Sequence, residues 1–79
     1  MRLNIYNLKG PLFQGEIASV NLPTKAGEIT VLNNHRPLIS LLRKGEIKVT
    51  EEDGKTKDFA VNEGFLEIRP GNVANILVN

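Results

Sequence analysis

Seven clusters of turn-forming residues cut the chain into short pieces: Gly10-Pro11, Pro23 to Gly27, Asn33-Asn34, Lys44-Gly45, Asp53-Gly54, Asn62 to Gly64 and Pro70 to Asn72. No other feature constrains the fold as much. Pieces bounded by Gly, Pro, Asn and Asp about every ten residues suit strands and leave little room for packed helices. Within the pieces the apolar side chains alternate. Ile47 and Val49 alternate with Glu46, Lys48 and Thr50, Phe59 and Val61 with Asp58, Ala60 and Asn62, and Leu66 and Ile68 with Glu67 and Arg69. Near the start, Leu3 and Ile5 face inward while Arg2, Asn4 and Asn7 face out, and the last turn leads into Val73 to Val78. A period of two is the pattern of a half-buried strand, and no window of about 11 residues holds the 3.6-residue period of an amphipathic helix. The expectation is a single all-β domain over residues 1–79, a small antiparallel β-sandwich or flattened barrel of about eight to ten short strands. Asp53-Gly54 reads as a two-residue hairpin turn with φ > 0 at both central positions.

The composition narrows the function classes. A chain of 79 residues buries only about 60% of the surface its unfolded form exposes, which leaves a thin stability margin, and without cysteine no disulfide closes its loops and no thiolate holds zinc. Ten basic and nine acidic side chains are interspersed, giving a formal charge of +1, so the basic stripe of a phosphate-backbone binder is missing. Three Phe and one Tyr leave few platforms for base stacking. Both observations disfavour nucleic acid as a partner. No apolar run approaches the roughly 20 residues of a membrane span, and the start lacks the apolar core of a secretory signal. The expected setting is cytoplasmic, with contact to a membrane only through a complex.

The run Gly27-Glu28-Ile29-Thr30-Val31-Leu32-Asn33-Asn34-His35-Arg36-Pro37-Leu38-Ile39-Ser40-Leu41-Leu42 stands apart from the rest. It joins a short β-branched strand to a polar tip and then to an apolar stretch. Glu28, His35 and Arg36 sit at the two ends of one strand-loop unit; they flank one rim of the sandwich, or they are an exposed strand-entry charge and a turn. Leu38 to Leu42 carry more aliphatics than one period-two strand buries, because Leu41 and Leu42 point to opposite faces when extended. Either the stretch is irregular, or one helical turn, and wholly core, or one side is an apolar patch awaiting a partner.

Catalytic chemistry finds little support. His35 is the only histidine, and its neighbour Arg36 makes it a poor metal ligand. Ser19 and Ser40 have no nucleophile elbow around them. Glu51, Glu52 and Asp53 precede Gly54 in a turn, where a solvated cluster is the ordinary explanation. No Gly-rich phosphate loop is present, and neither an enzyme activity nor a cofactor is expected. The alternative in the binding-module class is a small oligonucleotide- or sugar-binding β-barrel. That reading needs solvent-facing aromatics clustered with Arg or Lys, and Tyr6, Phe13, Phe59 and Phe65 are scattered along the chain.

The motifs resemble the N-terminal β-sandwich domain of the epsilon subunit of bacterial F-type ATP synthase, called delta in mitochondria. The resemblance is carried by Leu12-Phe13-Gln14-Gly15-Glu16-Ile17-Ala18-Ser19-Val20, Leu22-Pro23-Thr24, Gly27-Glu28-Ile29, His35-Arg36-Pro37-Leu38 with Ile39-Ser40-Leu41-Leu42, Lys44-Gly45, Glu63-Gly64-Phe65-Leu66-Glu67-Ile68 and Gly71-Asn72-Val73, and it covers essentially the whole chain. It implies a non-catalytic rotor part at the foot of the central stalk, on the cytoplasmic face of the bacterial plasma membrane. Its partners would be the gamma subunit and the polar loops of the c-ring. Glu28 falls at a family position that faces the c-ring loops, with His35 and Arg36 on the loop at that end. Ser40, Leu41 and Leu42 fall where the family domain packs on gamma, which favours the partner-patch reading of the apolar run. Two departures stand out. Asn33-Asn34 replaces the Pro-Gly or Pro-Asn that the family usually places before the histidine, so a fixed φ is lost and a looser loop is expected. Most members also continue past the position of Asn79 into a two-helix hairpin, and the inhibitory and ATP-binding functions of that hairpin are not carried over to these residues.

Overall fold

The computed structural model describes residues 1–79 and contains strands and turns throughout. Eight strands follow one another: β1 (Arg2–Asn7), β2 (Gly10–Thr24), β3 (Gly27–Val31), β4 (Leu38–Leu42), β5 (Gly45–Glu51), β6 (Thr56–Val61), β7 (Gly64–Arg69) and β8 (Val73–Val78). They form two layers that share β2. The first half of β2 pairs with β1, which continues through β8 and β7 to β4; its second half lies between β3 and β5, and β6 pairs on the far side of β5.

The alternation read from the sequence fills the space between the layers. Leu3, Ile5, Leu66, Ile68, Ala74, Ile76 and Val78 come from one layer, and Val20, Leu22, Val31, Ile47, Val49 and Val61 from the other; all are buried. Register makes these side chains neighbours. Ile5 lies opposite Ile76, and Ile76 opposite Leu66, across β1, β8 and β7, and Val20 lies between Val31 and Val49 across β3, β2 and β5. At the open side, half-buried Phe13 and Phe59 meet edge-on with ring centroids 6.1 Å apart, and Lys57 Nζ sits 5.3 Å from the Phe13 ring. Two of the aromatics that look scattered along the sequence, Phe13 and Phe59, thus pair to close the seam and pack against the core.

Thr24 is the only buried polar side chain. Its Oγ1 donates to Gly27 C=O and accepts from Ala26 N–H, so it satisfies the tight turn from β2 into β3. No buried side-chain nitrogen or oxygen is left without a partner.

Four features differ from the expectation. β1 and β8 pair in parallel, which the alternation does not reveal because a period of two carries no strand direction. β2 runs 15 residues through Gly10-Pro11 and Pro23, which read as punctuation. Residues 38–42 form a regular strand, with no helical turn. The β5–β6 hairpin has positive φ at Gly54 alone, with Gly54 N–H donating to Glu51 C=O and Glu51 N–H to Lys55 C=O. That is a three-residue loop closed by a glycine bulge, the next most common hairpin solution after the two-residue turn.

Gly64 is required by close packing. An added Cβ would lie 2.6 Å from the Leu77 carbonyl oxygen, a backbone atom with no freedom to retreat, whereas at Gly15 it would meet nothing nearer than the Phe13 ring edge at 3.6 Å. Gly64→Ala is therefore expected to lower stability by about 1–3 kcal/mol. Gly15→Ala is expected to cost much less, and urea unfolding of the two variants compares them directly.

Candidate partner-binding surfaces

The outward faces of the two layers differ in kind. On the β1-β8-β7-β4 layer, Leu41 lies opposite Phe65, Phe65 opposite Leu77, and Leu77 opposite Tyr6, so one row of large side chains crosses four strands. Ile39, next on the outer side of β4, is 66% exposed and Leu41 58%. Leu8, at the tip of the β1–β2 turn, is 93% exposed and borders a notch of about 230 Å³ formed with Phe65 and Leu77. A contiguous apolar patch of this kind marks a surface that meets another molecule.

Leu42 does not belong to that patch. It is 1% exposed and part of the core, because it points to the opposite face of β4 from Leu41. Ser40 shares its inward side of the strand, is half-buried, and donates from Oγ to Leu41 C=O at 3.1 Å. Of the expected gamma-packing trio, only Leu41 presents an apolar side chain outward. Ile39, Phe65, Leu77 and Leu8 complete the surface. The signal for Phe65 and Leu77 was an apolar residue at an outward position of an otherwise alternating strand.

The other layer is polar outside. Asn21 of β2 lies opposite Lys48 on one side and Thr30 on the other. Its Nδ2 donates to Thr30 Oγ1 at 2.9 Å and to Glu28 Oε1 at 3.4 Å. Glu28, exposed on β3, thereby faces a groove bounded by Arg43 and Lys44 of the β4–β5 turn and by Glu46 and Lys48 of β5.

His35 and Arg36 are not brought to Glu28. Glu28 pairs with Pro23, near the end of β2. The His35 loop lies beyond the other end of β3, where Asn33 Oδ1 accepts from the Met1 amine at 2.7 Å, and the Met1 amine also donates to Ile17 C=O. Pro23 and Ile17 are about 20 Å apart along the strand. The expectation of one shared rim is therefore corrected. The loop also carries restraints in place of the missing proline. Asn34 holds φ at 62°, and its N–H donates to Asn72 Oδ1 at 2.8 Å, while Asn72 Nδ2 donates to Asn33 Oδ1. Asparagine reaches this left-handed region more readily than other non-glycine residues. The His35 ring shares a 2.7 Å hydrogen bond through Nδ1 with its neighbour's carbonyl, Arg36 C=O.

The family model described as "ATP synthase, Delta/Epsilon chain, beta-sandwich domain" matches residues 1–79. The chain belongs to that family. Among curated relatives, it is 37% identical over 73 residues to the ATP synthase epsilon chain of Bordetella petrii, covering 92% of this chain and 52% of that one. It is 41% identical over 68 residues to the epsilon chain of Wolinella succinogenes, covering 86% and 52%. The mitochondrial ATP synthase subunit delta of Yarrowia lipolytica is 36% identical over 73 residues, covering 92% and 41%. This delta/epsilon-type sandwich thus spans about half the length of the relatives it matches. Among solved structures, a chain in the Euglena gracilis mitochondrial ATP synthase, resolved with its c-ring, superposes with a TM-score of 0.90 at 25% identity, covering 96% of this chain and 48% of that one. A chain of the Tetrahymena thermophila mitochondrial enzyme shares the fold, with a TM-score of 0.83 at 16% identity over 99% and 62%.

The opposite placement of two adjacent leucines gives a direct test. Leu42→Ala is expected to destabilise the domain by about 2–5 kcal/mol, the usual cost of truncating a core leucine. Leu41→Ala is expected to change stability by less than about 0.5 kcal/mol, and thermal unfolding of the pair measures the difference.

Proposed function

We propose that this domain is a non-catalytic central-stalk element of an F-type, proton-translocating ATP synthase. In this reading it joins the gamma subunit to the membrane c-ring and passes rotation between them. Its setting is the cytoplasmic face of the bacterial plasma membrane, where the complex holds it. The observation that carries the reading is the pairing of surfaces in a member of the delta/epsilon family: an apolar row across one layer and a charged groove on the other. A coupling part needs two such surfaces, one for each neighbour it holds.

Leu41, Phe65 and Leu77 form the surface for gamma, with Ile39 and Leu8 at its margins. Burying a few such anchors supplies on the order of several kcal/mol at about 25 cal/mol per Å² of apolar area. Glu28 faces the c-ring loops, in a contact that rests on it without His35 and Arg36. An exposed ion pair contributes only about 0–1 kcal/mol, so the role of Glu28 is to set orientation and register.

Leu41→Asp is expected to abolish co-elution with gamma in size-exclusion chromatography while the isolated domain stays folded, because burying an unpaired carboxylate reverses the sign of the contact. Unchanged co-elution would overturn the assignment of this face. Glu28→Gln is expected to lower proton-coupled ATP synthesis in the assembled enzyme more than it lowers assembly, and an equal loss of both would count against the ring-facing role.

A further inference from the structure

The nitrogen of Met1 is the one charged group that the sandwich encloses. Met1 is 6% exposed, and its ammonium lies among three acceptors: Ile17 C=O at 2.9 Å, Asn33 Oδ1 at 2.7 Å and Glu16 Oε2 at 3.6 Å. A charge taken out of water needs its hydrogens matched, and here three N–H bonds meet three acceptors. Ile17 is a ladder partner, since its own N–H donates back to Met1 C=O at 2.8 Å. Any backbone N–H at residue 1 can make that bond. The bond to Asn33 needs a second hydrogen, which only a free amine carries.

That second bond belongs to a closed circuit. Asn33 Oδ1 also accepts from Asn72 Nδ2 at 3.3 Å, Asn72 Oδ1 accepts from Asn34 N–H at 2.8 Å, and Asn72 C=O accepts from Arg2 N–H at 3.0 Å. The circuit runs from the Met1 ammonium through the β3–β4 loop and the β7–β8 turn and back to β1. Asn33 and Asn34 directly precede His35 and Arg36, so it fixes the base of that exposed tip. The bond from the ammonium is its shortest and its only charge-assisted member.

An acyl group on this nitrogen breaks the circuit. An amide nitrogen is planar and keeps one hydrogen, which the ladder bond to Ile17 uses. The acyl carbon, about 1.33 Å from the nitrogen, then takes the direction of Asn33 or of Glu16. The first choice drives it into an oxygen that lies 2.7 Å from the nitrogen. The second leaves Asn33 with no donor at residue 1. We propose that the Met1 nitrogen is a modification-sensitive site, and that the fold holds the His35 loop only while this nitrogen is unacylated. A formyl or acetyl group on it must be removed before the loop is fixed. The reaction is amide hydrolysis: water adds across the C–N bond, the acyl group leaves as a carboxylate, and the nitrogen becomes the ammonium that Ile17 and Asn33 bind.

The test uses the full chain made by chemical synthesis with Met1 either free or formylated, and reads backbone order parameters by NMR relaxation. In the free chain, Asn34, His35 and Arg36 are expected near about 0.85, and in the formylated chain below about 0.6, while Ile47 and Val49 in the core stay unchanged. Asn33→Ala in the free chain is expected to loosen the same three residues, and formylating that variant to add little. Equal order parameters in the free and formylated chains would overturn the inference. So would a loosening that spreads equally to Ile47 and Val49, or one that formylation still produces in full when Asn33 is absent.

Discussion

One strand hydrogen-bonds into both layers, and the rest of the sandwich depends on it. At about 3.3 Å per residue, the 15 residues of β2 would reach about 50 Å if straight, nearly twice the 27 Å longest dimension of the domain. The strand therefore bends. Its register with β5 slips between Ile17 and Ser19, the place where β2 leaves β1 for β3 and β5. An irregularity of this kind increases local twist and bends the strand. Ile17 is held there from both sides of its backbone, its N–H donating to Met1 C=O and its C=O accepting from the Met1 amine. Because the two layers share this strand, their inner faces are locked at one spacing, and the remaining strands fill the space between them with branched aliphatic side chains.

Such an arrangement leaves two outer faces free to diverge. An antiparallel layer usually buries one face and offers water the other, with polar residues at the outward positions. The β5-side layer follows that pattern through Ser19, Asn21, Thr30, Lys48 and Asp58. The opposite layer breaks it where Leu41, Phe65 and Leu77 stand outward in one row, with Ile39 outward in the next. Nothing in the core needs these residues, since each has an inward neighbour that already fills the interior. Their cost in solubility makes sense for a surface that is covered in an assembly.

The sequence was legible where alternation was clean. β5, β6 and β7 follow directly from their period-two pattern, and the turns between them from Gly and Asn. It was less legible where local signals conflict with long-range pairing. Gly10-Pro11 and Pro23 look like breaks, yet β2 passes through them. At Pro23 the missing N–H costs nothing, because the ladder there uses its carbonyl, which accepts from Arg43. The 38–42 stretch admitted a helical turn only because Leu38, Ile39, Leu41 and Leu42 are all apolar. Pairing with β7 settles it as a strand with one buried side and one exposed side.

By itself, the sequence determined the all-β class, most strand positions, the inward set of core residues and membership of the delta/epsilon family. These are properties of near neighbours along the chain: alternation assigns faces within a strand, and turn residues set where a strand stops. The tertiary structure alone decided which strands lie side by side, and with that every relation across strands. It placed Leu41 outside beside Phe65 and Leu42 in the core, joined Phe13 to Phe59 at the seam, and set Glu28 at one end of β3 with His35 beyond the other. A period of two specifies up or down and carries no information about which strand is adjacent, in which direction or in what register, so those relations arise only when distant segments pack.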